Sequence, residues 1–127
     1  AKAKVDITEA NILVSGGRGV GNAQGFTNLE LLANELGGVA SASRALVDAG
    51  RIGHDRQVGQ TGKTVRPDLY LALGISGAIQ HTSGMEDSNL VISVNRNPNA
   101  PIFEVSDLGI VGDINKILTE LMKELNK

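Results

Sequence analysis

The sequence has no cysteine and no tryptophan, only three prolines, and three aromatic rings, Phe26, Tyr70 and Phe103, among 127 residues. Without a thiol, disulfides, thiol catalysis and thiolate metal sites are excluded. Basic residues are not in excess either: 12 Lys and Arg face 14 Asp and Glu, for a net charge of -2 and a pI of about 5.6. Such a chain has little with which to track a polyanion or stack on bases, so nucleic acid is not an expected partner. No apolar run approaches the length that spans a bilayer, and the first residues lack the apolar centre of a signal peptide, so no membrane insertion is expected. His54 and His81 stand in different segments with no second ligand at metal-binding spacing, and no metal is expected. Glycine is the residue in excess, with 16 copies clustered between apolar runs, the pattern of backbone packed closely against something.

The chain is organised around Leu69 to Met85, LYLALGISGAIQHTSGM. Leu69 to Leu73 reads as a buried strand, Gly74 breaks it, and Ser76, Gly77 and Ala78 are expected to begin a short helix that ends near Gly84. A strand that feeds a small-residue turn into a helix leaves free backbone N–H groups beside the positive end of the helix dipole, a site for a phosphate.

One domain covering residues 1–127 is expected at this length. Ala1 to Ala10 shows no sustained period and reads as a lead-in. Ile12 to Val14 is the first strand, followed by the turn Gly17-Arg18-Gly19-Val20-Gly21 and a helix with Thr27 and Glu30 as its capping box. Leu29, Leu32, Ala33 and Leu36 share one face of that helix, which Gly37 and Gly38 stop. Val39 to Ser43 is a second strand, Arg44 to Gly50 a helical turn, and Gly53 to Arg66 a long polar loop of the kind that is usually functional. After the central strand, Leu90 to Val94 is a fourth strand, Asn95 to Pro101 a turn, and Ile102 to Val105 a short fifth strand. A terminal helix starts near Asp113, with Ile114, Ile117, Leu118, Leu121, Met122 and Leu125 on one stripe.

Strands alternating with helical segments predict an α/β fold, an open and mostly parallel sheet with helices on both faces. Ligands in such folds bind at the carboxyl edge of the sheet. Ser15 and Gly16, Ser43 and Arg44, Gly74 to Ser76, Asn95 and Arg96, and Ser106 and Asp107 all read as lying just past strand ends, which together predict a nucleotide crevice.

Single motifs are weaker. The first glycine turn is G-x-G-x-G and lacks the G-x-G-x-x-G spacing, and Ser43 and Arg44 stand where a dinucleotide site would place an acidic residue for the ribose. Gly62-Lys63-Thr64 resembles a P-loop tail, but Gln57 occupies the required glycine position. Ser76 sits at a strand-to-helix turn as a hydrolase nucleophile would, but Ala78 replaces the glycine of the nucleophile elbow and His81 lies on the same short helix. Arg44, Gln60, Thr61 and His81 together would suit a redox ring that gains negative charge on reduction. They would equally suit a surface cation, a linker loop and a helix-side histidine, and spacing alone does not decide.

Four blocks occur in order: Gly17 to Gly21, Ala42-Ser43-Arg44-Ala45, QVGQTGKT from Gln57, and GISGAIQH from Gly74 to His81. With Asn95, Ala100 to Phe103 and Gly109 to Asp113, the sequence from Asn11 to Asp113 resembles the C-terminal, FAD-binding domain of the electron transfer flavoprotein alpha subunit. The resemblance implies a Rossmann-like dinucleotide-binding domain with FAD extended across the strand ends. Arg18, Ser43 and the turn Ser76, Gly77, Ala78, Ile79, Gln80 and His81 would serve the pyrophosphate and ribityl regions. The ring would lie against Arg44, Val58, Gln60 and Thr61, flanked by Gln57 and Gly59, with His81 near its O2 side. Asn95, Asp113 and Ile114 would hold the adenosine end, Ile114 through its main chain.

Such contacts favour an anionic, one-electron-reduced flavin, so that electrons pass singly. The resemblance further implies a beta subunit and an alpha-subunit domain preceding this one as partners. It implies an acyl-CoA-type dehydrogenase as electron donor, and a quinone reductase, or in some anaerobes a bifurcating partner, as acceptor. The compartment would be the cytoplasm in a bacterium or archaeon and the mitochondrial matrix in a eukaryote. The alternatives from other classes are a nicotinamide-dinucleotide domain of a hydride-transferring enzyme and a serine hydrolase.

Overall fold

Five short apolar runs pair into one sheet in the computed structural model, which describes residues 6–126. They are β1 (Ile12–Gly16), β2 (Val39–Ala42), β3 (Leu69–Leu73), β4 (Leu90–Asn95) and β5 (Leu108–Val111). Every pairing is parallel and the order is β2-β1-β3-β4-β5. Parallel neighbours need crossovers, and α1 (Ala23–Glu35), α2 (Arg44–Asp48), α3 (Ile79–Thr82) and α4 (Ile114–Leu125) are the helices of the fold. The chain runs outward from β1 to β2, then returns past β1 to β3. The connections leaving β1 and β3 therefore diverge, and a crevice opens between them at the carboxyl edge.

Alternation along the strands sends successive side chains into two separate cores. In β3, Leu71 and Leu73 join a cluster with Phe26, Leu29 and Leu32 of α1, Leu46 of α2, and Ile114 and Leu118 of α4. Tyr70 and Ala72 join the opposite cluster with Ile7, Val58, Val65, Ile75, Met85 and Ile102. That second face is covered by α3, by residues 53–66, and by 3-10 turns at Ile7–Glu9, His54–Arg56 and Pro101–Val105. Helices thus lie on both faces, α1, α2 and α4 on the first and α3 with the 3-10 turns on the second. Ser41, Ser15, Ala72 and Ser93 form one register row across the second face, and their small size lets the overlying loop approach the sheet.

Several local expectations are corrected. Residues 1–5 of the expected lead-in lie outside the described residues, but Ile7 is fully buried in a 3-10 turn capped by Asp6. The first long helix starts a turn earlier than the Thr27 and Glu30 box implied. Asn22 is its cap, accepting from Gly25 N at 3.1 Å, and Thr27 sits inside with Oγ1 bonded to Ala23 O. Asparagine ahead of good helix formers supplies the cap first. Ile102 to Val105 is not a strand but part of a 3-10 turn, because Pro101 suits a helical first position and Ile102 N–H donates to Ser76 O rather than to a ladder.

The fifth strand is Leu108–Val111 instead, docked where Asp107 accepts Val91 N–H at 2.8 Å. Ser106 and Asp107 consequently precede β5 and lie at the opposite edge of the sheet from the other four groups. Of those, Ser15, Gly16 and Asn95 are the last residues of β1 and β4 and not beyond them, because the ladders to β3 and β5 carry on through them. Ser76 to Ala78 do not begin the central helix. Gly77 has a φ of +93°, which interrupts helical geometry, and α3 starts at Ile79 with Ala78 as its cap. In α4, capped by Asp113, Ile114 and Leu118 are buried while Leu125 is exposed, since α1 does not extend over the last turn.

Candidate functional site

The turns after β1 and β3 pack directly on each other: a side chain on Gly19 would stand 2.7 Å from the Gly74 backbone. Gly17 N–H bonds to Leu73 O and Gly19 N–H to Gly74 O, each at 3.0 Å, so the floor at the switch point is a hydrogen-bonded pair of glycine turns. Above it opens a cleft of about 590 Å³, within the range of small-molecule and cofactor sites. Arg18 and Arg44 stand in its wall, and no Asp or Glu of the described residues does. The cleft is therefore electropositive although the chain is slightly acidic. Arg44 also meets Asp48 at 3.4 Å, an exposed pair across one helical turn that restrains the guanidinium only weakly.

The second wall is the loop 57–63, folded back on itself and onto α3. Gln57 is buried, with Nε2 donating to Thr61 Oγ1 at 2.7 Å, and His54 Nε2 lies 2.8 Å from Thr61 O. Gln60 N–H donates to Gln80 O at 2.7 Å, which ties the loop tip to α3. At the floor of this wall His81 is 6 % exposed, and its Nε2 is 2.7 Å from the hydroxyl of Tyr70, itself fully buried. Burial pushes the imidazole pKa down to about 4, with the Val58 backbone opposing the shift. That backbone lies near but outside hydrogen-bonding geometry, and His81 Nδ1 has no protein partner. Burial likewise raises the Tyr70 phenol well above its usual range, opposed by the Ser15 hydroxyl. The wall of the cleft thus holds a neutral imidazole, engaged at Nε2 and buried without a partner among the described residues at Nδ1.

Eleven of the residues singled out from the sequence line this one cleft: Arg18 after β1, Ser43 and Arg44 after β2, Gln57, Val58 and Thr61 of the loop, Ser76, Ala78, Gln80 and His81 after β3, and Asn95 at the end of β4. Asn95 also buttresses the floor, donating from Nδ2 to Ile75 O at 3.0 Å. Ser76 is exposed in the cleft wall and does not cap α3. The remaining six do not line the cleft. Gly59 packs on Gln80 and Gly84, Gln60 makes the main-chain tie to α3, and Gly77 packs on Ile102. Ile79 is exposed at the start of α3, Asp113 caps α4 and meets Arg96 at 3.3 Å, and Ile114 is buried in the first core.

Gly17, Gly19 and Ala45 also line the cleft without having been given a contact, and so do Gly74 and Ile75, expected there as strand-end residues. The glycine turns and the ASRA block that contain most of them were the signal. Tyr70 carried no signal beyond being an aromatic residue in a buried strand. The serine hydrolase alternative loses its base, because His81 Nε2 is engaged by Tyr70 and no hydrogen bond joins the ring to Ser76.

Comparison with known proteins agrees with this geometry. The sequence profile described as "Electron transfer flavoprotein FAD-binding domain" matches residues 6–86, from before β1 to the end of the turn after α3. The "Electron transfer flavoprotein subunit alpha" of Thermoanaerobacterium thermosaccharolyticum is 58% identical over 127 residues, covering 100% of this chain and 38% of its own length. That of Clostridium acetobutylicum is 55% identical over 98% of this chain and 37% of its own length. The "Electron transfer flavoprotein subunit alpha, mitochondrial" of Dictyostelium discoideum is 52% identical over 96% of this chain and 34% of its own. The chain therefore spans little more than a third of the length of these relatives. With more than half of its residues matched by the family profile and its glycine turns meeting at the switch point of a parallel sheet, the chain belongs to the electron transfer flavoprotein FAD-binding domain family.

Proposed function

We propose that this chain holds FAD in extended form across the carboxyl edge of its sheet, as the flavin-holding part of an electron transfer flavoprotein alpha subunit. The observation that carries the reading is the cleft at the switch point, which gathers two arginines and no carboxylate among the described residues. An electropositive crevice suits a pyrophosphate, and the buried, unpartnered His81 Nδ1 suits a cofactor atom that completes its hydrogen bonding. When bound, the flavin supplies the redox chemistry, taking up electrons and releasing them one at a time.

In this reading Arg18, Ser43 and the exposed turn around Ser76 and Ala78 bind the phosphates. Arg44 and the loop Gln57, Val58, Gly59, Gln60 and Thr61 hold the ring and exclude water from one of its faces. His81 offers a neutral donor, and Asn95 with the corner at Asp113 and Ile114 takes the adenosine end. Gly77, Ile79 and Gln80 shape the turn between the two ends. A beta subunit and a further alpha-subunit domain cover the exposed side of the cleft. A dehydrogenase of acyl-CoA type donates electrons, and a quinone reductase or a bifurcating partner accepts them. The setting is the cytoplasm of a bacterium or archaeon, or the mitochondrial matrix of a eukaryote. No described helix is long and apolar enough to cross a membrane.

The test is direct. Purified protein mixed with FAD is expected to retain oxidised-flavin absorption bands through desalting, with FAD released near one per chain on heating. Colourless protein after that treatment would remove the proposal, and retention of a nicotinamide dinucleotide in its place would favour the hydride-transfer alternative. Arg44→Ala is expected to lower the potential of the bound flavin, because a cation beside the ring favours its negatively charged, reduced forms. The shift should be roughly 30–60 mV, the equivalent of about 1 kcal/mol per electron at a solvent-exposed position. Redox titration at matched FAD occupancy reads it, and an unchanged potential would remove Arg44 from the ring.

A further inference from the structure

The loop 57–63 is held mainly by its own main chain. Lys63 N–H donates to Gln57 O at 2.8 Å, Gly59 N–H to Lys63 O and Gly62 N–H to Gly59 O, each at 3.1 Å, and Gln60 N–H reaches Gln80 O at 2.7 Å. Thr61 is the exception. Among the described residues it is the one member of the loop with no backbone-to-backbone hydrogen bond, yet it is exposed in the wall of the cleft. Two side chains hold it instead. Gln57 Nε2 donates to its hydroxyl at 2.7 Å, and His54 Nε2 meets its carbonyl oxygen at 2.8 Å. A carbonyl can only accept, so Nε2 of His54 carries the proton in this contact. The peptide between Thr61 and Gly62 is thus held at both ends, by Gly59 O at its N–H and by His54 at its carbonyl.

His54 and Gln57 belong to one short turn, His54–Arg56 with Gln57 as its cap, and that turn is fastened to the sheet. β2 is the outermost strand on its side, so carbonyls along its free edge need partners from elsewhere. Arg56 Nη1 donates to Ala40 O at 3.2 Å and Val58 N–H to Ala42 O at 2.9 Å. A continuous line of contacts therefore runs from β2 through the turn to the tip of the loop. Its last link to the main chain of Thr61 is the His54 ring, which is exposed and does not line the cleft.

We propose that His54 is a positioning residue: by donating from Nε2 to Thr61 O it fixes the tip of the loop before any ligand arrives, so that the flavin meets a preformed wall. The flavin half of the statement rests on reading the cleft as an FAD site. The loop half does not, since every group in the line belongs to this chain. Without His54 the peptide after Thr61 is held at one end only, and a tip left loose must be ordered on binding, which lowers affinity.

Three variants separate the hydrogen bond from the bulk of the ring. His54→Phe keeps a ring and loses the donor, His54→Ala removes both, and His54→Gln places an amide N–H at similar reach. Hydrogen exchange of the Gly62 amide is read in FAD-free protein, with the amides of β1 and β3 as the control for global stability. His54→Phe and His54→Ala are expected to speed exchange at Gly62 about threefold to tenfold, the worth of one hydrogen bond, and to leave the sheet amides unchanged. FAD binding, followed by titration, should weaken by the same factor, and His54→Gln should lie closer to the native protein than to His54→Ala in both measurements.

Unchanged exchange at Gly62 in His54→Phe overturns the role of His54, whether or not the native protein binds FAD. Faster exchange in His54→Phe together with native protein that takes up no FAD overturns the cofactor reading and leaves the fixed loop standing. Faster exchange with undiminished FAD affinity overturns the flavin half, and a His54→Gln no better than His54→Ala overturns the hydrogen bond as the cause. The native protein supplies a check that needs no variant to fold. At about pH 8.5, where an ordinary imidazole is neutral, a His54 ring protonated on Nδ1 in long-range ¹H–¹⁵N spectra overturns the proposal.

Discussion

Replacing Gly77 with alanine is expected to destabilise the fold by about 3–6 kcal/mol, a large share of the 5–15 kcal/mol that holds a typical domain together. Three effects add. Its φ of +93° is a conformation that costs an L side chain about 1–2 kcal/mol. The new Cβ would lie 2.1 Å from Ile102 N and 2.4 Å from its Cα, a clash with backbone that no rotamer relieves and that costs about 1–3 kcal/mol. Relieving it pushes apart Ser76 O and Ile102 N, whose 2.9 Å hydrogen bond joins the cleft wall to the 3-10 turn at Pro101–Val105. That bond is worth about 1 kcal/mol. Urea unfolding reads the sum, with Gly37→Ala as the control. Gly37 has a φ of +71° but nothing within 4 Å, so alanine there should cost only the conformational part. Equal losses at the two positions would show that the contact with Ile102 relaxes freely and carries none of the cost.

Acid is expected to weaken the native protein more steeply than a variant lacking His81. The buried imidazole resists protonation down to about 4, while in the unfolded chain it takes up its proton near 6.5. Between those values the unfolded state binds more protons, so stability rises with pH across the window and falls as pH is lowered through it. The contribution is fully present above about 6.5 and fully lost below about 4, and amounts to about 3 kcal/mol in all. Unfolding midpoints at pH 7.5 and pH 4.5 for the native protein and His81→Gln isolate it, because the carboxylates titrate alike in both. The native protein should lose about 2–3 kcal/mol more than the variant between the two pH values. Parallel losses would mean that the ring protonates in place and that burial does not hold it neutral. The same burial keeps His81 uncharged at physiological pH.

Much of this architecture was legible from local pattern. Short runs of three to five largely apolar or small residues marked β1 to β4, and the stripe from Ile114 to Met122 marked α4, because strand and helix periods are written in neighbouring residues. The cleft was legible for the same reason. Residues at the ends of parallel strands must meet at one edge, so Ser43, Arg44, Ser76 and Asn95 could be gathered from the strand ends alone, and Arg18 from the resemblance. Local pattern failed where two conformations compete for one short segment. Ile102 to Val105 has the composition of a strand, but Ser76 O claims the Ile102 N–H and Leu108–Val111 takes the place beside β4. That displaced Ser106 and Asp107 to the far edge.

The sequence by itself therefore determined the kind of fold and the edge of the sheet that carries the site, which follow from periodicity and turn chemistry over a few residues, while most of the side chains in the cleft came from the resemblance to the flavoprotein domain. Only the tertiary structure decided that no carboxylate of the described residues shares the cleft with the two arginines, that loop 57–63 closes one wall, and that Tyr70 reaches His81 eleven residues away. Those features depend on which strand lies beside which and on what burial does to a proton. Neither is encoded in the spacing of residues along the chain.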